Sequence, residues 1–535
     1  KGRWKNIKKQ KSSPTELQLR CLEELNRVIK PGGGIYVAIE NRLGIQYFIG
    51  HPDDHINIRF VTFLPRFIAN YITKIIRNVE YRTYIYSPTK LKELIEKAGF
   101  SNTKLYGAFP HYQDISRLIP LNLMSELKSI MTSGNTIGLY GSLVKFVWKI
   151  IPASIYHYFS PSLVAIAHKE RITEQTQLTN RIINFIKQEI LTESNLEPNR
   201  YETLILNSRF DDSNPVIYAI YDIDQKSILY FCKIGRQKES NKMLDYEAEQ
   251  IKNAQNIFKD SVIYGHIPEI VQNCEYEGIP LLITKFMPGK PVNKGMINIL
   301  KTFSLHRFGN IPYEKKLTLA MNKWATKKWL KKIDPTIKKA LDLLLIFQKD
   351  STTEMVNGKK VLKTRIDGQI QKLKNNNLLT RDAMIGIEKL KKEISSIDDF
   401  NLPICFQHGD YDLCNLLESE EKVFLVDFEH SKNSALPFFD LGNILFNVLF
   451  SEWKRYEGEM MFENYLSSFG WQPYIENWID YYCASSKIPI DVFKFLPPIV
   501  ALIQNTMNYP SYRDPYTYPM YGKNSLETLL FWRLK

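Results

Sequence analysis

The stretch Phe406-Gln407-His408-Gly409-Asp410-Tyr411-Asp412-Leu413-Cys414-Asn415-Leu416-Leu417, followed by Val423-Phe424-Leu425-Val426-Asp427-Phe428-Glu429, decides how the chain is read. Its apolar runs predict a loop and a hairpin, with Asp410 and Asn415 five apart on the loop and Asp427 ending the strand one hairpin later. Phosphoryl transfer needs a carboxylate beside the incoming hydroxyl, oxygen ligands that hold Mg2+ on the phosphates, and cations along the phosphate tail. Asp410, Asn415 and Asp427 supply the first two. A lone aspartate is usually an ordinary turn or strand-end residue, but three matched positions in one loop-hairpin unit outweigh that reading.

These residues resemble the aminoglycoside phosphotransferase family, whose kinase-like fold carries an H-G-D-x-x-x-x-N loop and a following D-x-E strand end. The resemblance covers about residues 200 to 535 and implies ATP and Mg2+ as cofactors. It implies Asp410 as catalytic base and Asn415 and Asp427 as Mg2+ ligands. His408 is expected to brace the loop by hydrogen bonding. Pro437-Phe438-Phe439-Asp440-Leu441-Gly442 looks like the family's segment after the metal strand, so Asp440 is expected to anchor the loop.

Upstream, Thr203 to Asn207, Val216 to Tyr221 and Ser227 to Gly235 read as a three-strand meander turned at Asp222 to Lys226. Lys233 lies on the third strand, where such a fold needs a lysine over the phosphates. Its partner is expected on the helix Met243 to Ile257, with Glu247 the better candidate and Glu249 the rival, since positions two apart point to different sides. A surface lysine is the bland alternative. Leu281-Leu282-Ile283-Thr284-Lys285 and the residues after it resemble the strand and hinge that hold adenine, which makes Ile283 and Lys285 nucleotide-site candidates. Another core strand is the alternative there. The turn 207–215 has no glycine, although close backbone approach to phosphate favours one. Residues 292–402 form a long insertion with Lys323, Lys327, Lys328, Lys331, Lys332, Lys338 and Lys339 among Trp324, Trp329 and Leu330. A solvated face is the default, and a site for a phosphorylated or lipid-linked acceptor is the sharper reading.

The N-terminal part has another rhythm. A helix over Glu16 to Ile29 is stopped by Lys30-Pro31-Gly32-Gly33-Gly34, and the short apolar run Ile35 to Ile39 ends at Glu40-Asn41. Ser87-Pro88 opens a second helix lined by Leu91, Leu94, Ile95 and Ala98 and ended by Gly99; a strand at Thr103 to Tyr106 follows, with Ser162 to Ala167 its late partner. This helix-glycine-strand pair resembles the C-terminal half of a class I S-adenosylmethionine-dependent methyltransferase, a Rossmann-like fold, over residues 1–170. The family's cofactor loop belongs upstream of Lys1, so the expectation is either a cut chain, which the missing initiator Met suggests, or a vestigial domain. S-adenosylmethionine is expected only if that half is present. Asp53, Asp54 and His55 read as a turn for lack of a partner set. The basic-aromatic stretches 42–86 and 140–159 admit a lid or membrane-surface helix, but mixed stripes are usually core faces, so packing is expected.

The expected architecture is therefore α/β plus α+β. Residues 1–170 form a partial methyltransferase-like sheet, 171–200 a linker helix, 201–290 a kinase-like N-lobe and 291–535 a C-lobe. The 535 residues carry 71 Lys and Arg against 57 Asp and Glu, a net charge of +14, which points to phosphates or anionic surfaces. No nucleic-acid motif accompanies the charge. Six scattered cysteines without metal spacing suggest a reduced, cytoplasmic protein, and Ser142 to Ala167 is too interrupted to span a membrane. The leading expectation is an ATP-dependent kinase for a small-molecule or glycan hydroxyl, with peripheral membrane contact as the sharper reading of the basic stretches. The rivals are a pseudokinase scaffold, favoured by the missing glycines, and a methyltransferase whose kinase-like half only recognises substrate.

Overall fold

The computed structural model describes residues 13–124, 150–169, 200–206, 214–292, 312–375, 379–419, 422–453, 462–486 and most of 488–499, with a few positions from 181 to 188. The chain forms two compact units, Lys1–Phe210 with Val216–Cys232, and Asp211–Pro215 with Lys233–Lys535. The division falls inside β7 (Ser227–Ile234), at the end of the expected meander. Most of the expected 171–200 linker helix, the glycine-free turn at 207–213 and the stretch 140–149 lie outside the described residues.

The first unit opens with α1 (Pro14–Val28), started by a capping box: the Glu16 N–H donates to Ser13 Oγ at 3.3 Å and the Ser13 N–H to Glu16 Oε2 at 2.8 Å. There follow β1 (Gly34–Glu40), α2 (Arg66–Arg77), α3 (Pro88–Lys97), β2 (Ser101–His111), β3 (Asp114–Pro120), β4 (Ser162–His168), β5 (Tyr201–Leu206) and β6 (Val216–Asp222). The sheet order is β1-β4-β2-β3-β5-β6. Its described pairings are antiparallel, and Ser162 to Ala167 pairs with the strand at Thr103 to Tyr106 as expected. The residues of β4 are buried almost throughout, and it takes a central slot. Ser162 stands opposite both Glu40 of β1 and Ala108 of β2. Both outer strands oppose β4, so β1 and β2 run the same way, connected through α3.

Leu91 and Ile95 of α3 pack on Leu163, Ala165 and Ala167 of β4 in one core that also takes Leu204, Ala219 and Tyr221 from β5 and β6. The first two meander strands thus close on the N-terminal core. α2 departs from expectation. Its buried positions are Ala69 and Thr73, whereas Phe67 is 74% exposed, Tyr71 69% and Ile75 66%. The small residues face inward because they let the helix approach the Ile58, Val61 and Tyr81 cluster closely. Periodicity gives the stripes of a helix without saying which one is covered.

The second unit contains α4 (Lys238–Ile257), the hairpin β8 (Ile270–Tyr276) and β9 (Ile279–Lys285), and β10 (Lys290–Pro291). The helices α5 (Pro312–Asp350), α6 (Gly358–Asn375) and α7 (Arg381–Ser396) then flank β11 (Glu354–Asn357). Next come β12 (Asn401–Gln407), β13 (Leu416–Glu418), β14 (Val423–Leu425), β15 (Lys432–Ala435), α8 (Phe438–Trp453), α9 (Phe462–Phe469) and α10 (Gln472–Ser486). Two small sheets, β10-β13-β14 and β11-β12-β15, bracket the loop between β12 and β13. One core unites Leu244 and Ile251 of α4, Leu341 and Phe347 of α5, Phe406 of β12, Leu425 of β14 and Leu441 of α8. The insertion's Trp329 and Leu330 belong to that core, while Lys327, Lys328, Lys331, Lys332 and Lys339 are exposed. Its basic cluster is a solvated face. Among the described residues no helix is long and apolar enough to cross a membrane.

Candidate active site

The loop between β12 and β13 is held from beneath by Asp440. Its two carboxylate oxygens accept the His408 N–H and the Gly409 N–H, each at 2.8 Å, and the side chain is buried. Two charge-assisted hydrogen bonds fix the backbone just ahead of Asp410. Burial pushes the Asp440 carboxyl up to about 7 although both amides stabilise its ion. Gly409 has φ +84°, and a Cβ there would collide with the His430 carbonyl oxygen. The glycine of the motif is thus a packing requirement. Ser431 Oγ donates to His408 O at 3.0 Å, and Tyr246 of α4 donates its hydroxyl to Ser431 O at 2.6 Å.

His408 is fully buried, and burial lowers its pKa to about 4, so the ring is neutral near pH 7. Its Nδ1 accepts the Asp410 N–H at 3.3 Å. Such a ring braces the loop as an uncharged group, with its proton on Nε2. Asn415 Nδ2 donates to Asp410 Oδ2 at 2.7 Å and to Asp410 O at 3.1 Å, which leaves Oδ1 for a cation. Asp412 closes the turn between them by accepting the Cys414 N–H at 2.6 Å. Burial, reinforced by Asp412 and Asp427, pushes the Asp410 carboxyl up to about 8. A carboxyl poised near neutrality, with an oriented oxygen, suits a base that accepts a hydroxyl proton.

Asp427 sits just past β14 with φ +74°, a left-handed conformation that costs an aspartate about 1 kcal/mol or more. Its Oδ1 lies 2.8 Å from Lys233 Nζ, and the same ammonium stands 2.7 and 2.8 Å from the Glu247 oxygens. Glu247, on α4, is 3% exposed, and it is the partner Lys233 takes in place of Glu249. Burial opposes the Asp427 charge, but Lys233 outweighs it and holds the carboxyl low; at Glu247 burial prevails and the pKa rises. Burial opposes the Lys233 charge too, yet Asp427 and Glu247 together raise its pKa.

Two groups that sequence reasoning left without a role are Glu429, beside this triad, and Tyr246, on Ser431. Burial and then the Asp427 charge push Glu429 up to about 8, and Glu429 Oε1 lies 3.5 Å from His430 Nε2. Glu429 was quoted in the D-x-E strand end, so its signal was present; that of Tyr246 was not. The hinge candidates stand differently. Ile283 is wholly buried in β9, paired with Gln272 of β8. The Lys285 N–H donates to Glu269 O at 2.9 Å, and its ammonium reaches Glu269 at 2.6 Å. That amide is thus committed within the protein.

The donor set around Asp427 fits a hard divalent cation: an amide oxygen at Asn415, a carboxylate at Asp427, and acids nearby whose pKa values are raised by burial first and by neighbouring carboxylates second. No protein-family model matches the sequence, and no curated protein matches it. Among solved structures, an ADP-bound aminoglycoside phosphotransferase is similar at 14% identity, covering 65% of this chain and 96% of its own, with a TM-score of 0.33. A choline/ethanolamine kinase family protein from Mesorhizobium loti follows at 12%, covering 65% and 92%, with a TM-score of 0.32. An amicoumacin kinase in complex with AMP-PNP and Ca2+ is similar at 12%, covering 61% and 86%, with a TM-score of 0.31. Scores of this size carry no functional argument, which rests on the side chains.

Proposed function

We propose that the second unit transfers a phosphoryl group from ATP to a hydroxyl of a small molecule or glycan precursor. The observation that carries the reading is the convergence of Asp410, hydrogen-bonded to Asn415, with a left-handed Asp427 tied to the buried Lys233–Glu247 pair. Asp410 would accept the acceptor's proton, and Asn415 and Asp427 would hold Mg2+. Bound there, the ion supplies charge neutralisation at the phosphates. Lys233, fixed by Glu247, would meet the phosphate tail. Replacing Asp410 with Ala and assaying phosphorylated product across a panel of hydroxyl acceptors tests the assignment. Unchanged turnover would remove Asp410 as the base.

The pseudokinase reading finds support in the glycine-free turn alone, while the polar set opposes it. For residues 1–170, two same-direction strands connected through a helix, with β4 inserted between them, support a methyltransferase-like half. Calorimetry with S-adenosylmethionine tests whether the chain binds that cofactor. The exposed Phe67, Tyr71 and Ile75 beside Lys74 and Arg77, on a helix without an acidic residue, favour peripheral contact with an anionic lipid surface.

A further inference from the structure

We propose that the first unit binds a divalent metal ion through Glu40, Asp54 and His111. Glu40 ends β1, Asp54 stands in the turn after Pro52, and His111 ends β2, so the three arrive from distant parts of the sequence. One ligand atom from each lies within 4.8 Å of the other two. Three ligands spread evenly about 2.2 Å from one ion stand about 3.8 Å apart or less, so a closure of up to about 1 Å completes the site. The sequence read Asp53-Asp54-His55 as a turn for lack of partners. It is a turn, and Glu40 and His111 are the partners.

The surroundings are built to present these groups. Asp53 is 1% exposed; its carboxylate accepts the His55 N–H at 2.9 Å, the Ile56 N–H at 3.0 Å and the Tyr81 hydroxyl at 3.0 Å, which fixes the backbone bearing Asp54. Asn41 is wholly buried and donates to Tyr158 O and Ser160 O at 2.7 and 2.8 Å, which fixes the end of β1 beside Glu40. Glu40 itself is 8% exposed and hydrogen-bonds to the Tyr112 side chain, and among the described residues neither it nor Asp54 has an ion-pair partner. Buried charges are normally paired or coordinate metals. The phenol of Tyr47 records the surplus: burial raises its pKa, and the charges of Asp54 and Glu40 raise it further.

Glu40 also lines a cavity of about 810 Å³ with His55, Lys74, Glu80, Arg82 and Tyr84. Three protein ligands leave coordination positions for water or an oxygen-bearing ligand, as in open metal sites. Two carboxylates and one imidazole suit Mn2+ or Zn2+ more than a thiolate-seeking ion.

The test uses the full chain stripped with a chelator and titrated with Mn2+, free ion being read by electron paramagnetic resonance. The Asp427→Asn chain removes the nucleotide-site ligand and is expected to keep one Mn2+ site. Adding Asp54→Asn, at an exposed position with no fold role, or His111→Gln is expected to weaken that site by more than about a hundredfold. Equal Mn2+ binding with and without those substitutions overturns the proposal, as does a folded Asp427→Asn chain that takes up no Mn2+ at millimolar concentration. Neither result depends on phosphoryl transfer.

Discussion

Replacing Lys233 with Met strands two carboxylates where the protein has placed one ammonium. Glu247 is 3% exposed and touches Lys233 at 2.7 and 2.8 Å, and Asp427 touches it at 2.8 Å. Breaking a buried pair by removing one partner costs about 3–5 kcal/mol, against a typical domain stability of about 5–15. The sign with pH follows. Without the ammonium both carboxyls titrate above their unfolded value of about 4, so the folded state holds protons that the unfolded state releases, and stability falls as pH rises. The full penalty therefore belongs to pH 8, and the loss at pH 5.5 is smaller by about 1 kcal/mol or more. Adding Glu247→Gln removes one stranded charge and returns part of the stability without returning phosphoryl transfer. Urea unfolding followed by tryptophan fluorescence is the assay, since Trp324, Trp329, Trp471 and Trp478 lie in the second unit. A Lys233→Met protein within about 0.5 kcal/mol of the parent at both pH values would refute the buried triad.

Gly409→Ala forces a Cβ toward the His430 carbonyl at φ +84° and is expected to cost about 2 kcal/mol or more together with most of the turnover; an unchanged urea midpoint refutes the packing argument. With Asp410 pushed up to about 8 by burial, kcat/KM is expected to rise with pH up to an apparent pKa at or below that value, and Asp410→Asn is expected to lose about 10²–10⁴ in rate with the profile flattened. The metal-free protein is also expected to lose stability from pH 5.5 to 8, because Asp410 and Glu429 hold protons when folded that they release when unfolded; a flat urea midpoint over that range refutes it. Phe67→Glu on α2 is expected to reduce co-sedimentation with phosphatidylglycerol-containing vesicles and leave binding to pure phosphatidylcholine vesicles, weak from the start, unchanged; equal sedimentation refutes lipid contact.

The loop from His408 to Asn415 was legible because its contacts are local: Asp410, the amide five residues on and the glycine that fits beneath His430 share one backbone. Lys233 and Glu247 were legible for a similar reason, a strand followed by a helix whose facing side could be worked out. The sheet of the first unit was legible in part: Ser162 to Ala167 pairs with the strand at Thr103 to Tyr106 as expected, but its second pairing, with β1, is a long-range choice set by which strand can be covered on both sides. The buried side of α2 was missed because Ala69 and Thr73 look less like a core than Phe67 and Ile75 do. The bond that commits the Lys285 amide was not legible, because its partner Glu269 lies across a hairpin.

The charge balance separates an enzyme from a scaffold more sharply than the fold does. Around Lys233 the protein gathers Glu247, Asp427 and Glu429, with Asp410 close enough to feel Asp427. Burial alone would protonate such acids, and two of them are pushed up to about 8. A surface that only displays itself to a partner gains nothing from that arrangement, because carboxyls held this high weaken the fold at neutral pH. Apolar residues of similar volume would serve a scaffold as well or better. An arrangement that receives a divalent cation and a phosphate chain has use for every one of these groups. Metal-free destabilisation and phosphoryl transfer are then two readings of one feature. A Glu429→Gln protein that gains stability at pH 8 while losing turnover would show both at once, and one that gains stability with turnover intact would favour the scaffold.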